Sequence, residues 1–407
     1  MAPTPGLALP RPVGYLVFSM TAPTPPSSDA FSALADAMLG LFDDGVPAVL
    51  RSAQMPFSTQ EVFEWVRTVH PPKSCSPAAS KIDAVKRSWG LSPEPSGEAT
   101  SPAPERPIEL YRGGGVLLDP SPFVPTEAHP SFEAWLEAMR PELGDDFGVM
   151  APHLECASWD ALDRLQALLA PTLARTGPRS YRYNAFFGDY RRTPFGFHLD
   201  PHQECVFQFV LEGQRRGSFW EGLTLNAEDA AWIEDPNGRV APTRRAELTV
   251  DVEPGDLVFW PGTHVHGFEA DGPSMGLSLV IDRTAPRLRA DVVAGLEVAT
   301  LGGRTGLPMA DDSLEVAATE TLTRRPYARL AFECHDDDLI VGVCGRTFDW
   351  PDRGSQPAAV RLLAALQTCE ATSADALSRE FGDKQLVRED IAGVLSMLAG
   401  LGYFTRG

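Results

Sequence analysis

The sequence has no run of 18 or more apolar residues, so no segment of it reads as a membrane-spanning helix. The opening stretch, MAPTPGLALPRP, has no basic region ahead of an apolar run, and no secretory signal is expected. Cysteine is scarce. The six residues, at 75, 156, 205, 334, 344 and 369, include no C-x-x-C pair. Their spacing fits neither a zinc finger nor a compact disulfide framework, and reduced thiols in a cytoplasmic protein are the expectation. There is no run of Lys or Arg, and the formal net charge is −20. Such a surface repels phosphate backbones, so nucleic acid is excluded as a partner and a basic peptide or protein suits better. No internal repeat, G-x-S-x-G nucleophile motif, Walker loop or Rossmann glycine pattern occurs.

What is present is enough apolar content, 43% over 407 residues, to bury more than one core. Residues 1–28 are rich in Pro, Thr and Ser and read as a loose tail. Residues 29–178 read as a helical region. Phe31, Leu34, Met38, Leu39 and Phe42 recur at helical spacing, a short strand follows at Val46–Leu50, and Ser58 with Glu61 forms a capping box. Ser131 and Ser158 read as helix N-caps, the second opening a helix to about Leu173. A Pro/Ser-dense excursion at 71–107, with a short helix near Ser80–Trp89, interrupts this region.

After Arg179 the period changes from 3.6 to 2. Strands are predicted at Tyr181–Phe187, Gly196–Asp200, Glu204–Leu211, Ser218–Trp220, Ala246–Asp251, Asp256–Trp260, His266–Ala270 and Met275–Ile281. Turns are predicted between them, including one at Asp271-Gly272-Pro273. Eight short strands over residues 179–290 suggest a jelly roll or barrel. Residues 291–325 connect it to a third unit at 326–407. There a hairpin over Leu330–Phe348, with Asp336–Asp338 at its tip, precedes helices at Pro357–Leu366, Ser373–Phe381 and Arg388–Leu401. That order is a winged-helix pattern. With 8 Lys/Arg against 12 Asp/Glu the unit is acidic, which points to a peptide-binding or dimer-forming module and away from a DNA reader.

The central segment reads T-P-F-G-F-H-L-D-P-H-Q-E. On a strand, residues i and i+2 share a face, so His198 and Asp200 can converge on one ion. An imidazole and a carboxylate form two corners of a facial triad, the geometry that suits Fe(II) and leaves three positions open. A later histidine is needed as the third. The segment E-P-G-D-L-V-F-W-P-G-T-H-V-H-G-F offers both His264 and His266.

Together these blocks resemble the JmjC and cupin-like oxygenases. Those proteins share an H-x-D, an apolar strand and a Gly-x-Lys/Arg turn, here His198-Leu199-Asp200, Val206–Leu211 and Gly213-Gln214-Arg215. They also share P-G-D-x-x-x-x-P followed, five residues on, by a histidine, which selects His266 over His264. The resemblance implies a mainly β fold with α additions. Its parts would be a double-stranded β-helix (jelly-roll/cupin) core, a helical N-terminal region and a C-terminal winged-helix domain. The last narrows it to the ribosomal-oxygenase-like branch, whose members hydroxylate ribosomal proteins or precursor peptides of ribosomally made natural products.

It implies Fe(II) held by His198, Asp200 and His266, and 2-oxoglutarate as cosubstrate. Arg215, with Arg216 as the neighbouring alternative, would take the distal carboxylate, and Tyr183, Asn184, Thr193 and Ser278 would offer further contacts. His202 and Glu204 would stand behind the ligands, and His70, His129, His153 and His335 would lie at the surface. Helical additions of this kind also imply a homodimer. One departure is that the connection from H-x-D to the glycine turn is two residues longer than in many such proteins.

Overall fold

The computed structural model describes residues 17–19, 28–53, 55–68, 108–117, 119–157, 159–176, 179, 181–193, 196–222, 244–283, 314–325, 328, 330–335, 338–343, 346–349, 356–381 and 387–406. The 71–107 excursion, Ser158, the hairpin tip at 336–337 and most of the 291–325 connector lie outside them.

In chain order the first half runs β1 (Val17–Ser19), α1 (Ser28–Asp44), β2 (Ala48–Arg51), α2 (Thr59–Thr68), β3 (Glu109–Arg112), β4 (Gly115–Val116), α3 (Phe132–Leu143), β5 (Phe147–Ala151) and α4 (Trp159–Thr176). The barrel strands are β6 (Tyr181–Arg192), β7 (Glu204–Glu212), β8 (Arg215–Glu221), β9 (Leu248–Val252), β10 (Leu257–Pro261) and β11 (His264–Asp282). The helices begin where local chemistry says they should. The Ser58 hydroxyl accepts from the Glu61 backbone N–H at 3.2 Å while the Glu61 carboxylate accepts from the Ser58 N–H at 2.8 Å, completing the box that opens α2. The Ser131 hydroxyl caps α3 by accepting from Ala134 N.

Strands pair in the order β1-β2-β10-β7-β11-β6-β5-β3-β4, and β11 also pairs with β8, which pairs with β9. This is a jelly roll, with antiparallel pairing throughout except between β1 and β2. Its two walls share β11, whose first half, His264–Ala270, lies against β8 while its second half, Met275–Asp282, lies between β6 and β7. The turn predicted at Asp271-Gly272-Pro273 is therefore a correction. The strand continues through it without a reversal, and the register against β6 shifts between Glu269 and Gly272. Gly272, at φ 99°, supplies the conformation that this irregularity needs.

Alternation along each strand separates two cores. On β6, Tyr181, Tyr183, Ala185 and Phe187 pack outward into the large cluster under α1–α4, where Phe187, Trp135 and Phe147 meet edge to face. Inward, Val206, Val210, Val258, Trp260, Val280, Phe219 and Phe268 fill the space between the walls. Burial of these aliphatic and aromatic groups is worth about 1.5–3 kcal/mol each, which makes the frame stiff enough to hold a site.

The C-terminal part comprises β12 (Leu322–Arg324), β13 (Leu330–His335), β14 (Asp338–Val343), β15 (Arg346–Asp349), α5 (Gln356–Thr368), β16 (Ala371–Thr372), α6 (Ala374–Phe381), α7 (Arg388–Gly400) and β17 (Phe404–Arg406). It has two small sheets, β16-β12-β17 and β13-β14-β15, and its own apolar core of Leu362, Leu363, Leu366, Leu395, Leu398 and Tyr403. It meets α4 through Arg325, which pairs with Asp163 and lies 5.1 Å over the Trp159 ring.

Candidate metal centre

Gly196–Asp200 was predicted as a strand, and it is not one. Only His198 makes a bridge there, an antiparallel pair with His266 in which each backbone N–H donates to the other's carbonyl at 2.9 Å. Gly196, at φ 60°, and Pro201 confine the segment to a short irregular run. The bridge nevertheless does what a strand would have done. It sets His198 beside His266, and the rings lie 4.2 Å apart between centroids.

Asp200 completes the group. Its Oδ1 is 3.8 Å from His198 Nε2 and its Oδ2 is 3.6 Å from His266 Nε2. Donors at right angles around an ion with bonds of ~2.1 Å sit about 3 Å apart, so a small inward movement suffices. Among the described residues, this is the only group of His, Cys, Asp or Glu donors close enough to hold a metal. His264 is not part of it. Its Nδ1 lies 3.0 Å from the Thr263 hydroxyl, and burial, with His266 and Arg244 nearby, pushes its pKa down to about 4.

The protonation pattern suits a cation. His198 Nδ1 faces the Gly196 carbonyl at 3.1 Å and His266 Nδ1 faces the His264 carbonyl at 3.2 Å. A carbonyl only accepts, so each Nδ1 carries a proton and each Nε2 is the ring nitrogen turned toward Asp200. Burial holds His266 below the ordinary histidine range although Asp200 opposes it. Burial also favours a neutral Asp200, but His266, His198, the Trp260 N–H and Arg182 outweigh it and hold the acid below the usual carboxylate range. Two imidazole Nε2 atoms and one carboxylate are a donor set for a divalent ion.

A cleft opens over this group, walled by Met150, Pro152, Arg182, Asn184, Phe186, Thr193, Val206, Gln208, Trp260, Phe268, Ser278 and Val280. Asn184, Ser278 and Gln208 are register partners across β6, β11 and β7, so they form one polar row. Gln208 Nε2 donates to the Ser278 hydroxyl at 3.3 Å, while Gln208 Oε1 and Asn184 Oδ1 are buried without a partner. Thr193 lines the cleft too, and its hydroxyl donates to the Phe268 carbonyl at 3.1 Å. Tyr183 is a correction. Strand parity turns it to the outer core, where it is fully buried and its N–H donates to the Glu155 carboxylate at 2.8 Å.

Arg215 and Arg216 part company by the same parity. Arg216 is exposed and pairs with Asp251, Nε to Oδ1 at 2.6 Å. Arg215 is 2% exposed. Its Nη2 donates to the Phe186 carbonyl at 3.2 Å, and its Nε and Nη1 have no partner. Nη1 lies over Gly276, where a Cβ would come within 2.7 Å of it. Gly276 is one inward position along β11 from Ser278, so the guanidinium sits one row deeper than the polar row. A buried cation with free paired donors asks for an anion, and a carboxylate matches the fork. A larger cavity, of about 590 Å³, is lined by Arg215 together with Arg51, Asp251, Glu253 and Asp271, and by none of the histidines.

The sequence did not single out three residues at the centre. Trp260 donates from Nε1 to Asp200 Oδ2 at 3.0 Å. Arg182 lines the cleft and holds Glu204 through two bonds of 2.8 and 2.6 Å. Gln208 is the third, and period-2 counting back from Val210 would have put it on the inner face. His153, read as a surface residue, is partly buried, with Nδ1 2.9 Å from the buried Glu155. His202 is exposed. His70 lies outside the described residues, and so does the side chain of His335.

No protein-family model matches this chain, and no curated protein sequence matches it. Among solved structures it is similar to Escherichia coli ycfD at 16% identity and a TM-score of 0.47, covering 90% of this chain and 97% of that one. A structure of YcfD described as a ribosomal oxygenase, in complex with cobalt and 2-oxoglutarate, shares 17% identity with a TM-score of 0.43 over 88% of this chain and 94% of that one. Hydroquinone 1,2-dioxygenase from Sphingomonas sp. TTNP3 shares 18% identity with a TM-score of 0.20 over 26% of this chain and 60% of that one.

Proposed function

We propose that this chain is an Fe(II)/2-oxoglutarate-dependent oxygenase that hydroxylates a side chain of a peptide or protein. The observation that carries the reading is the pairing of two features in one barrel. At the mouth stands a facial set of donors, His198, Asp200 and His266, and deeper stands Arg215 with two buried donors unused. A dicarboxylate carries one group for each, with the arginine taking its far carboxylate.

Fe(II) with 2-oxoglutarate, when bound, supplies the oxidising power to activate dioxygen against an unactivated C–H bond. The chain's own groups do the placing. His198 and His266 offer their Nε2 atoms, Asp200 offers one negative charge, and Asn184, Ser278 and Gln208 offer hydrogen bonds along the cleft. Val206, Val280, Phe268 and Trp260 keep the floor dry, which strengthens each polar contact. Arg182 stays engaged with Glu204 at the wall and so is not the anchor for a second anion.

The acidic composition, with a pI of about 4.8, supports a basic peptide or protein as substrate, either a ribosomal protein or a natural-product precursor, in the cytoplasm. We further assign residues 179–290 to the catalytic core and 326–407 to a winged-helix module. The order helix, strand, helix, helix, strand over α5 to β17 supports the module, with β12 completing its small sheet. Its net acidity favours binding a peptide or a second copy of the chain over DNA. Among the described residues no helix is long and apolar enough to cross a membrane.

Anaerobic titration with Fe(II) and 2-oxoglutarate tests the assignment. A weak visible charge-transfer band is expected only when both are present. A metal-loaded protein with no such band would instead be a 2-oxoglutarate-independent metal enzyme, and one that binds no metal would be a scaffold.

A further inference from the structure

Trp260 does more than close the floor of the cleft. It is 3% exposed, packs in the inner core at a tilt against Phe219 and Phe268 at 5.9 and 5.4 Å, and its ring centroid lies 4.6 Å from that of His266. From there its Nε1–H donates to Asp200 Oδ2 at 3.0 Å. It thus touches two of the three metal-binding candidates at once.

The contact is built in by the backbone. Trp260 lies opposite Val206, one residue before the end of β10, and the next turn is tied down by Gly262 N donating to the Glu204 carbonyl at 2.7 Å. Gly262 passes so close to the Pro201 carbonyl that a Cβ would collide with it. The chain after Asp200 and the chain after Trp260 are therefore locked together, and the indole cannot drift from the carboxylate without opening that joint.

We infer that Trp260 is a positioning residue that makes Asp200 a one-oxygen ligand. This rests on the metal-centre reading above and deepens it. A carboxylate binds a cation through one or both oxygens. Two imidazoles and one carboxylate oxygen leave three of six octahedral positions open, whereas a second carboxylate oxygen leaves two. A chelating 2-oxo acid takes two positions and dioxygen needs a third, so the count decides whether the site can work. The indole N–H holds one oxygen by a hydrogen bond and leaves the other for the ion.

The test uses the full-length, metal-free protein, Co(II) as probe and N-oxalylglycine as a redox-inert 2-oxo acid mimic. Three proteins are compared by calorimetry: the wild type, Trp260→Phe, which keeps a ring but removes the donor, and Phe219→Leu, which thins the same aromatic cluster without touching Asp200. For Trp260→Phe, Co(II) affinity should fall about 10- to 100-fold, and N-oxalylglycine affinity at saturating Co(II) should also fall. Phe219→Leu should match the wild type in both.

Equal affinities in the wild type and Trp260→Phe overturn the inference while leaving the metal centre standing. Equal weakening in both variants also overturns it, because the role is then packing alone. A wild type that binds no Co(II) removes the metal centre and the inference with it. Should Trp260→Phe not fold, the wild type labelled with ¹⁵N at its eight indoles decides. One indole N–H should shift and gain protection from exchange when Zn(II) is added, and no change at any of the eight overturns the proposal.

Discussion

His198 and His266 exchange both backbone hydrogen bonds, 2.9 Å each way, in a stretch where His198 has no other strand pairing. The two imidazoles are therefore placed by main-chain atoms, and replacing either side chain leaves the scaffold in place. His266→Ala should remain folded, with an unchanged circular dichroism spectrum, and should lose the charge-transfer band. His264→Ala should keep it, because His264 lies outside the donor group. Loss of the band in His264→Ala with retention in His266→Ala would reverse the ligand assignment.

Arg215 reaches into the barrel only because position 276 carries no side chain. Gly276→Ala should displace the guanidinium and weaken 2-oxoglutarate binding about 10- to 100-fold, the range of one or two charge-assisted hydrogen bonds. Co(II) affinity should stay as it is. A variant in which both fall together would show that the barrel, and not the arginine, had been disturbed.

Gly402, at φ 81°, packs against the Trp159 indole, and a Cβ there would collide with the ring. Gly402→Ala carries both backbone strain and that clash, and a cost of about 2–4 kcal/mol is expected in urea unfolding. Trp159→Ala should offset part of it when combined with Gly402→Ala, since the clash is then gone and only the strain remains. Simple additivity of the two changes would deny that these residues meet.

Cys205 is fully buried on β7, and burial pushes its thiol far above the ordinary cysteine range. A thiolate is the reactive form, so native protein should show no alkylation at Cys205 by iodoacetamide at pH 8, and unfolded protein should show it. Mass spectrometry of the tryptic peptide reads the difference. Native labelling would mean that β7 opens locally.

Much of this centre was legible in the sequence because its elements obey short-range rules. The H-x-D and the P-G-D block name their own residues, and Ser58 with Glu61 and Ser131 mark helix starts by side chains that reach only a few residues. Period-2 parity was legible too, and it corrects the sequence reading at one point: Tyr183 and Asn184 are adjacent on a strand and cannot both face the cleft. The strand predicted at Gly196–Asp200 failed because Gly196 and Pro201 break it, while tertiary pairing with His266 kept its consequence. The contacts of Trp260, Arg182 and Gln208 were not legible. Each depends on strands distant in sequence lying side by side, as Trp260 and Asp200 do, and no local pattern encodes such a meeting.

The sharing of β11 by both walls carries a consequence for how such a chain can change length over evolution. His266 in one half and Gly276 and Ser278 in the other must all face inward. Within either half, gaining or losing one residue turns every later side chain inside out, whereas gaining or losing two keeps each facing and moves only the reach. The irregularity between Glu269 and Gly272 is where an odd change has room to be absorbed. Descent in this fold should thus accept insertions by parity before it accepts them by size.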